Sequence, residues 1–193
     1  MALMSRLKID KKKDYFIAII PSAPVYDQAQ QLKLYFRDHY GSKASLNSPP
    51  HITLHMPFRW KEKKEEDLIQ VLSRFASNSC SFGLRLKNFS CFSPKVIFID
   101  VETNATLNDL HKNLQTVCKR ELNLFNANYK EQPFYPHLTL AFRDLKKPNF
   151  QKAWEEFKDR EFEGDFLVEQ ITLLKHTGKI WQAHQHFQLG VCE

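Results

Sequence analysis

The sequence predicts a mixed fold of strands and helices that is built as two similar lobes. Three observations support this prediction. Apolar runs of strand length alternate with segments of helical periodicity. The order strand, helix, strand, helix, strand occurs twice, and a His-x-Thr sequence begins the central strand of each half, at His51 and His137. We interpret the chain as an internal duplication in which the chemistry lies between the two lobes.

The first half follows a basic lead, residues 1–13, which we expect to be a solvated tail. Its predicted elements are a strand over residues 15–20, a helix from 24 to about 39, a strand over 51–56 that stops at Pro57, a helix from 61 to about 77 and a strand over 82–89. Pro24 suits the first turn of its helix, because proline lacks an N–H that this turn does not use. Pro21 and Pro57 are expected to end the strands before them.

The second half repeats this order. Its predicted elements are a strand over residues 96–101, a helix from 104 or 106 to about 122, a strand over 137–142, a helix from 149 to about 160, a strand over 166–174 and a last strand over 180–189. Asn104 or Thr106 can cap the first of these helices. Leu107, Leu110 and Leu114 fall on one face of it, so that face is expected to be buried.

Length and charge limit the function. The chain has 193 residues with 28 Lys+Arg and 22 Asp+Glu, which gives a net charge of +6 and a pI of about 9.1. This length fits one domain or two intimate lobes. The 5 glycines are too widely spaced for a glycine-rich phosphate loop, which excludes most nucleotide-fuelled enzymes. If the protein binds phosphate, it must therefore do so with side chains.

The four cysteines, Cys80, Cys91, Cys118 and Cys192, are scattered and form no C-x-x-C pair. The sequence therefore predicts no disulfide framework and no zinc ribbon, and free thiols fit a reducing cytoplasm. No apolar run reaches the ~18–20 residues that span a membrane, and no secretory signal is visible. We expect a cytoplasmic protein without a membrane partner.

Two pentapeptides give the strongest indication of a functional site. Pro50 to Leu54 reads Pro-His-Ile-Thr-Leu, and Pro136 to Leu140 reads Pro-His-Leu-Thr-Leu. Alternate side chains of a strand point to the same face, so each strand presents one imidazole and one hydroxyl together. If the lobes are related by a pseudo-twofold axis, the two pairs face each other across a cleft.

That arrangement suits displacement at phosphorus. In-line attack needs a base on the attacking oxygen and an acid on the leaving oxygen, and histidine can serve as either near neutral pH. The hydroxyls of Thr53 and Thr139 can donate hydrogen bonds to the non-bridging phosphate oxygens. The chemistry needs no metal and no cofactor.

The paired H-x-T motifs resemble those of the 2H phosphoesterase superfamily, which includes bacterial 2′-5′ RNA ligase-like proteins and cyclic nucleotide phosphodiesterases. The resemblance spans residues 14–189. It implies an α+β fold with two lobes of about residues 14–90 and 91–193, each with a mainly antiparallel sheet and flanking helices, and it leaves strand exchange between the lobes open. It also implies hydrolysis of 2′,3′-cyclic phosphates or 2′,5′-phosphodiesters, with His51 and His137 as catalytic residues and Thr53 and Thr139 on the phosphate.

Five further residues are candidate substrate contacts. Tyr135 and Phe134 precede the second motif and could stack on a base, while Lys175 and Arg143 could hold phosphate. Several relatives place an arginine five residues after the second motif histidine. Here Phe142 has that position, so Arg143 can contribute only if the strand has ended or bulged. His55 is expected to share the face of His51. A metal site formed by these two histidines would need a helix, which the flanking prolines oppose.

The expected partners are RNA ends, oligonucleotides or nucleotides with cyclic or 2′,5′ phosphate linkages. Two alternatives stay open at this stage. ATP-independent 2′-5′ RNA ligation is the reverse of hydrolysis and would use the same residues. A nucleotide- or RNA-binding module with little catalysis could keep the same cleft. The sequence is compatible with a monomer, but it decides neither the substrate nor the oligomeric state.

Overall fold

The computed structural model describes residues 11–125 and 133–191, and within these ranges the chain forms eight strands and four α-helices. The elements are β1 (Lys12–Ile19), α1 (Val25–Tyr40), β2 (Ile52–Lys61), α2 (Glu65–Ser77), β3 (Phe82–Phe92), β4 (Val96–Glu102), α3 (Ala105–Glu121), β5 (His137–Ala141), α4 (Lys147–Phe157), β6 (Glu163–Val168), β7 (Gln170–His176) and β8 (Trp181–Gln188). Residues 1–10 of the predicted basic lead lie outside the described residues. β1 begins at Lys12, within the part that was predicted to be lead.

The eight strands form one sheet in the order β6-β3-β4-β5-β2-β1-β7-β8. Every pair of neighbouring strands is antiparallel. This arrangement confirms the predicted α+β class and the antiparallel character of the sheet. The two motif strands are neighbours at its centre, where β2 and β5 are joined at the pair Ile52–Leu138.

Helices and strands of the two sequence halves are mixed in space. α1 and α4 pack on the β6-β3-β4-β5 part of the sheet, while α2 and α3 pack on the β2-β1-β7-β8 part. β3 belongs to the first half of the sequence but pairs with β4 and β6 of the second half. β7 and β8 belong to the second half and extend the sheet from β1.

The sheet has two different faces. One is covered by the helices and holds the main core, into which Tyr15, Ile17 and Ile19 of β1 point. The other carries a small apolar cluster in which Phe16, Ala18 and Leu174 are buried. The alternation along β1 is the two-residue period of a strand. We call this second face the cleft face, because it positions the functional residues.

β2 does not stop at Pro57. Ile17 pairs with His55 but Tyr15 pairs with Phe58, so β2 has an extra residue in this interval and bulges around Pro57. A bulge takes one residue out of the regular ladder, and a proline there removes no ladder hydrogen bond. The prediction that proline ends this strand is therefore wrong.

The predicted strand over residues 166–174 is two strands. β6 ends and β7 begins on either side of Glu169, and they pair with β3 and β1 in the two different parts of the sheet. The carbonyl of Glu169 accepts a hydrogen bond from the backbone N–H of Leu189 instead of joining the ladder. A continuous apolar pattern does not show where a strand changes its partner.

Among the described cysteines, Cys91 and Cys118 are free thiols and Cys80 is disulfide-bonded. The expectation of free thiols is therefore wrong for Cys80. This residue lies at a parallel bridge to Gly190, a contact between distant parts of the chain that sequence spacing does not reveal. None of the described helices has the length and apolarity that a membrane crossing requires.

Candidate active site

The two motif histidines are oriented in the same way. Nδ1 of His51 lies 2.7 Å from the carbonyl oxygen of Pro49, and Nδ1 of His137 lies 2.8 Å from that of Tyr135. A carbonyl can only accept, so Nδ1 carries the proton and donates in both cases. Nε2 of each ring, which has no hydrogen bond to a described residue, is therefore left free to accept or donate a proton.

Each imidazole also packs against a phenylalanine of the neighbouring strand. Phe16 of β1 lies 4.8 Å from His51, ring centre to ring centre, at an interplanar angle of 48°. Phe98 of β4 lies 4.8 Å from His137 at 49°. A carbonyl on one side and an aromatic ring on the other restrict the rotation of each imidazole. The two rings are thus held alike by residues that are not part of the motif.

The pairing of β2 with β5 brings the two motifs together. Because the strands are antiparallel at Ile52–Leu138, the residue after Ile52 lies towards the residue before Leu138. This places Thr53 beside His137, and both line one cavity. By the same order Thr139 lies towards His51. The hydroxyls of both threonines have no hydrogen bond to another described residue, so they are available to a ligand.

The electrostatic surroundings of the two histidines differ. The pKa of His51 is lowered to about 4, mainly by burial and in smaller part by the ammonium of Lys33. Burial also holds the pKa of His137 below its ordinary value, and the carbonyl of Tyr135 and the carboxylate of Asp100, which lies opposite His137 on β4, offset only part of this decrease. His51 is therefore held neutral at pH 7, while His137 has a partner that favours its protonated form.

Lys33 is a buried cation behind the first motif. It is 1% exposed, and its ammonium donates to the carbonyl oxygen of Ser48 at 2.7 Å, next to the residue whose carbonyl orients His51. Burial lowers the pKa of Lys33 to about 7. The lysine is therefore charged on the acidic side of neutrality, where it opposes protonation of His51.

A cavity of about 620 Å³ extends from the motif residues to α3. Its described lining consists of Thr53, Leu54, Met56, Phe92, His111, Gln115, Pro133, Phe134, Tyr135 and His137. Ligand cavities of ~300–1,000 Å³ are typical for small molecules. The site therefore has room for more than a phosphate group.

Tyr135 and Phe134 lie in this cavity wall, where base contacts were predicted. Tyr135 is 47% exposed and lies edge-on to Phe92, at 5.6 Å between ring centres. Phe134 stacks on His111 of α3 at 3.7 Å and 5°. Contact of either residue with a substrate stays a prediction.

Lys175 does not point into the cleft. It pairs with Tyr15, a residue of the main core, so it lies on the helix-covered face of the sheet. Its ammonium lies 2.5 Å from a carboxylate oxygen of Glu65 and 3.5 Å from one of Glu62. The predicted substrate contact is wrong for Lys175, because the two-residue period of β7 places it on the other face and acidic side chains already neutralise it.

His55 is also on the wrong face. Thr53 pairs with Ala18 but His55 pairs with Ile17, so Leu54 is an extra residue in β2. This bulge turns His55 towards the main core, where it is 1% exposed. The expectation that His55 shares the face of His51 is wrong, because a bulge breaks the alternation. Its Nε2 is buried and has no hydrogen-bond partner among the described residues.

Arg143 follows the end of β5 by two residues. It has a left-handed backbone with φ 58°, and its guanidinium lies 5.0 Å from the ring centre of Phe142. The strand has thus ended before Arg143, which is the condition for this residue to reach a phosphate. Arg143 is exposed and does not line the cavity, so its phosphate contact stays a prediction.

Sequence reasoning missed several residues around the site. The missed residues are Phe16, Lys33, Phe98, Asp100, His111 and Gln115. A signal for two of them was present, because Phe16-Ile-Ala-Ile and Phe98-Ile-Asp-Val are a second repeated segment.

Within the part of the chain that the structure describes, no group of three or more His, Cys, Asp or Glu side chains could hold a metal ion.

The single antiparallel sheet with two H-x-T strands paired at its centre defines a protein of the 2H phosphoesterase type. A family model described as the 2′-5′ RNA ligase superfamily matches residues 21–180. The chain belongs to this superfamily.

Known relatives agree with that membership. A protein of Oceanobacillus iheyensis named "putative phosphoesterase" is 31% identical over 179 residues, which are 91% of this chain and 98% of the relative. A Geobacillus protein with the same description is 27% identical over 179 residues, 91% of this chain and 96% of the relative.

Two solved structures have the same fold. Escherichia coli LigT complexed with 3′-AMP superposes with a TM-score of 0.67 at 19% identity, covering 93% of this chain and 99% of LigT. TT0787 of Thermus thermophilus superposes with a TM-score of 0.66 at 21% identity, covering 93% and 100% of the two chains. At these identities the likeness concerns the fold.

Proposed function

We propose that this protein is a metal-independent phosphodiesterase that acts on RNA-type 2′,3′-cyclic phosphates or 2′,5′-phosphodiester bonds. The observation that carries the proposal is the equivalent arrangement of His51 and His137, each held by a backbone carbonyl and an aromatic ring with Nε2 free. Two such groups supply the base and the acid that in-line displacement at phosphorus requires. The phosphoesterase names of the bacterial relatives support the same class.

The electrostatic difference between the two histidines supports a particular assignment of their roles in hydrolysis. The low pKa of His51, caused first by burial, keeps it neutral and able to take a proton from water. Asp100 favours the protonated form of His137, which can then give a proton to the leaving ribose oxygen. His51 acts as the base and His137 as the acid in this proposal.

Thr53 and Thr139 hold the phosphate between the two imidazoles. Each hydroxyl can donate to a non-bridging oxygen, where negative charge increases as the nucleophile attacks. The crossed order, with Thr53 beside His137 and Thr139 towards His51, puts one donor near each histidine. An attacking water beside His51 and a leaving oxygen beside His137 would then lie on opposite sides of phosphorus.

A substrate panel tests the proposal directly. The purified protein is incubated with nucleoside 2′,3′-cyclic phosphates and with 2′,5′- and 3′,5′-linked diadenosine, with and without a chelator, and products are identified by chromatography. We expect ring opening to one nucleoside monophosphate isomer, or cleavage of the 2′,5′ linkage, unchanged by the chelator. The variant in which His51→Ala and His137→Ala are combined measures the background rate.

The other outcomes exclude the proposal in distinct ways. Turnover that disappears with the chelator and returns with a divalent metal would replace it with metal chemistry. Equilibrium binding of nucleotides without turnover of any member of the panel would replace it with a binding module. Joining of an RNA 2′,3′-cyclic phosphate end to a 5′-hydroxyl end, without net hydrolysis, would replace it with ligation.

A further inference from the structure

The loop between α1 and β2, residues 41–51, carries the carbonyl that orients His51. We call it the entry loop, because it leads into the first motif strand. It contains a 3₁₀ turn over Ala44–Asn47 and then continues to Ser48 and Pro49. Since Nδ1 of His51 donates to the carbonyl oxygen of Pro49 at 2.7 Å, the orientation of this imidazole depends on where the entry loop holds that carbonyl.

One carboxylate binds the start of the entry loop. Oδ1 of Asp144 accepts a hydrogen bond from the hydroxyl of Ser42 at 2.9 Å. Oδ2 accepts from the backbone N–H groups of Lys43 and Ala44, each at 2.9 Å. The first N–H groups of a helical turn need acceptors from outside it, and a lysine side chain at the cap has none to offer. Asp144 therefore caps this turn from a distant part of the chain.

Asp144 itself lies in a fixed segment. It follows the second motif strand, β5, which ends at Ala141. Its backbone N–H donates to the carbonyl oxygen of Phe142 at 2.7 Å, and the next residue, Leu145, is buried in the main core. The 3₁₀ turn that it caps also packs on β5. The segment after the second motif thus fixes the loop before the first.

The end of the entry loop is bound as well. The buried ammonium of Lys33 donates to the carbonyl oxygen of Ser48 at 2.7 Å. The loop is therefore held by a carboxylate before the 3₁₀ turn and by an ammonium after it. Two bound ends restrict the carbonyl of Pro49, and the tautomer of an imidazole follows from the hydrogen bond that its other nitrogen makes.

We infer that Asp144 is a positioning residue, which holds the entry loop at Pro49 and thereby keeps His51 in the tautomer with the proton on Nδ1. The consequence for catalysis rests on the proposed function, in which Nε2 of His51 takes a proton from water. The orientation of the ring does not depend on that function. If the carbonyl were displaced, the ring could carry its proton on Nε2 instead, and that tautomer has no free Nε2 lone pair with which to act as the base.

Nuclear magnetic resonance tests this inference without requiring turnover. Side-chain nitrogen-15 spectra of the full chain at neutral pH show which ring nitrogen of each histidine carries the proton, and His51→Gln and His137→Gln variants assign the two signals. We expect both imidazoles of the unmodified protein to carry it on Nδ1. In Asp144→Ala we expect a mixture of tautomers at His51 and no change at His137, because the bonds of the Asp144 carboxylate to described residues all go to the entry loop.

Asp144→Asn separates hydrogen bonding from charge. Its oxygen can accept from both backbone N–H groups and its amide can donate to the hydroxyl of Ser42, so all of these bonds can be kept without a negative charge. We expect His51 to keep the Nδ1 tautomer in this variant. Kinetics should follow the same order, with kcat for a 2′,3′-cyclic nucleotide about tenfold lower in Asp144→Ala, KM little changed, and both constants nearly unchanged in Asp144→Asn.

Two further variants make the test independent of stability. Nδ2 of Asn149 on α4 donates to the carbonyl oxygen of Tyr40 at 2.8 Å, so this bond reaches the end of α1 but not the entry loop. Asn149→Ala is the matched control, and we expect it to lower the unfolding temperature without changing the tautomer of His51. Ser42→Ala removes one bond to Asp144 at a buried position. It should give a smaller share of the second tautomer, and it tests the same link if Asp144→Ala does not fold.

The outcomes separate this inference from the proposed function. An unchanged tautomer of His51 in folded Asp144→Ala, or in Ser42→Ala if the first variant does not fold, would overturn the inference. An equal change in Asp144→Asn, in Asn149→Ala or at His137 would also overturn it. A change confined to His51, in a protein that hydrolyses no member of the substrate panel, would support the role of Asp144 and refute the phosphodiesterase. Hydrolysis with an unchanged kcat and an unchanged tautomer in Asp144→Ala would do the reverse.

Discussion

The two halves of the site have the same geometry and different charges. His51 and His137 contact a carbonyl at 2.7 and 2.8 Å and a phenylalanine at 4.8 Å in both cases. The buried ammonium of Lys33 lies near His51, whereas Asp100, which pairs with His137 from the neighbouring strand β4, brings a carboxylate near His137. A backbone carbonyl and an aromatic ring orient both imidazoles alike, and the charged residues Lys33 and Asp100 distinguish them.

The second repeated segment shows where this difference arises. Phe16-Ile-Ala-Ile in β1 corresponds to Phe98-Ile-Asp-Val in β4, so the ring that packs on the histidine is present in both. Two residues later the halves diverge, with Ala18 in the first and Asp100 in the second. Two histidines in identical surroundings would have no fixed roles as acid and base. In the proposed mechanism, this difference in neighbouring residues distinguishes the base from the acid.

The largest effect is expected from removing either histidine. His51→Ala and His137→Ala should each lower kcat for a 2′,3′-cyclic nucleotide by about 10²–10⁴-fold, the usual contribution of a general acid or base. Both losses should be large, because base and acid act in the same displacement. Steady-state kinetics measure the loss, and thermal unfolding verifies the fold. Full activity in either folded variant would contradict the paired mechanism.

The threonines test whether the phosphate site is symmetric. Thr53→Val and Thr139→Val keep the shape of the side chain and remove one donor each. A hydrogen bond to a charged group contributes about 1.5–3 kcal/mol, so each variant should lose about 10–100-fold in kcat/KM. Thr116→Val is the control, because Thr116 is exposed on α3 and its hydroxyl bonds to the carbonyl of Lys112 in the same helix. A loss confined to one threonine would show that only one half of the site holds the phosphate.

The sequence predicted the parts of the site that are repeated. The two H-x-T strands could be identified because His51 and His137 stand in nearly identical pentapeptides. Their pairing at the centre of one sheet was not predicted, since the duplicated order indicates a separate sheet in each lobe. The α+β class follows from the same alternation of periodicities. Local patterns of this kind depend only on neighbouring residues, which the sequence displays directly.

The errors concern features that depend on distant contacts. The sequence pattern predicts His55 and Lys175 in the cleft, but a bulge at Leu54 turns His55 away and the register with β1 places Lys175 on the helix-covered face. Lys33 and Asp100 carry no local signal, since nothing near them in sequence shows which histidine they approach. Bulges, register and burial are set by tertiary packing, and periodicity alone cannot supply them.

Lys33 provides a sharper test of the difference between the halves. Lys33→Met removes a positive charge that opposes protonation of His51, so the pKa of His51 should rise from about 4 towards its ordinary value. If His51 is the base, activity is lost as the pH falls through this pKa, and the acid limb of kcat/KM should move to higher pH by up to about one unit. A pH–rate profile of the unmodified and variant proteins measures the movement.

The height of the profile also tests the roles. If His51 were the acid instead, the same limb would move, but the plateau of kcat/KM would rise with the pKa of His51, because more of the protein would then carry the required proton on His51. Arg37→Met is the matched control, since Arg37 lies one helical turn further along α1 and pairs on the surface with Asp38. A profile that does not move in Lys33→Met would show that the lysine acts only on folding.

The smallest effect is expected at Asp100, which is less buried than Lys33 and therefore more screened by solvent. Asp100→Asn removes the carboxylate that raises the pKa of His137, so this pKa should fall. Because an acid must be protonated to act, the alkaline limb of kcat/KM should move to lower pH, by less than about one unit. Glu102→Gln, two residues along β4, removes a carboxylate that pairs with Arg85 and Lys87 instead, and it should leave the limb in place. The assignment of His137 as the acid would be contradicted if the alkaline limb stayed fixed in Asp100→Asn, or if it moved equally in both variants. Either result would mean that Asp100 does not distinguish His137 from His51.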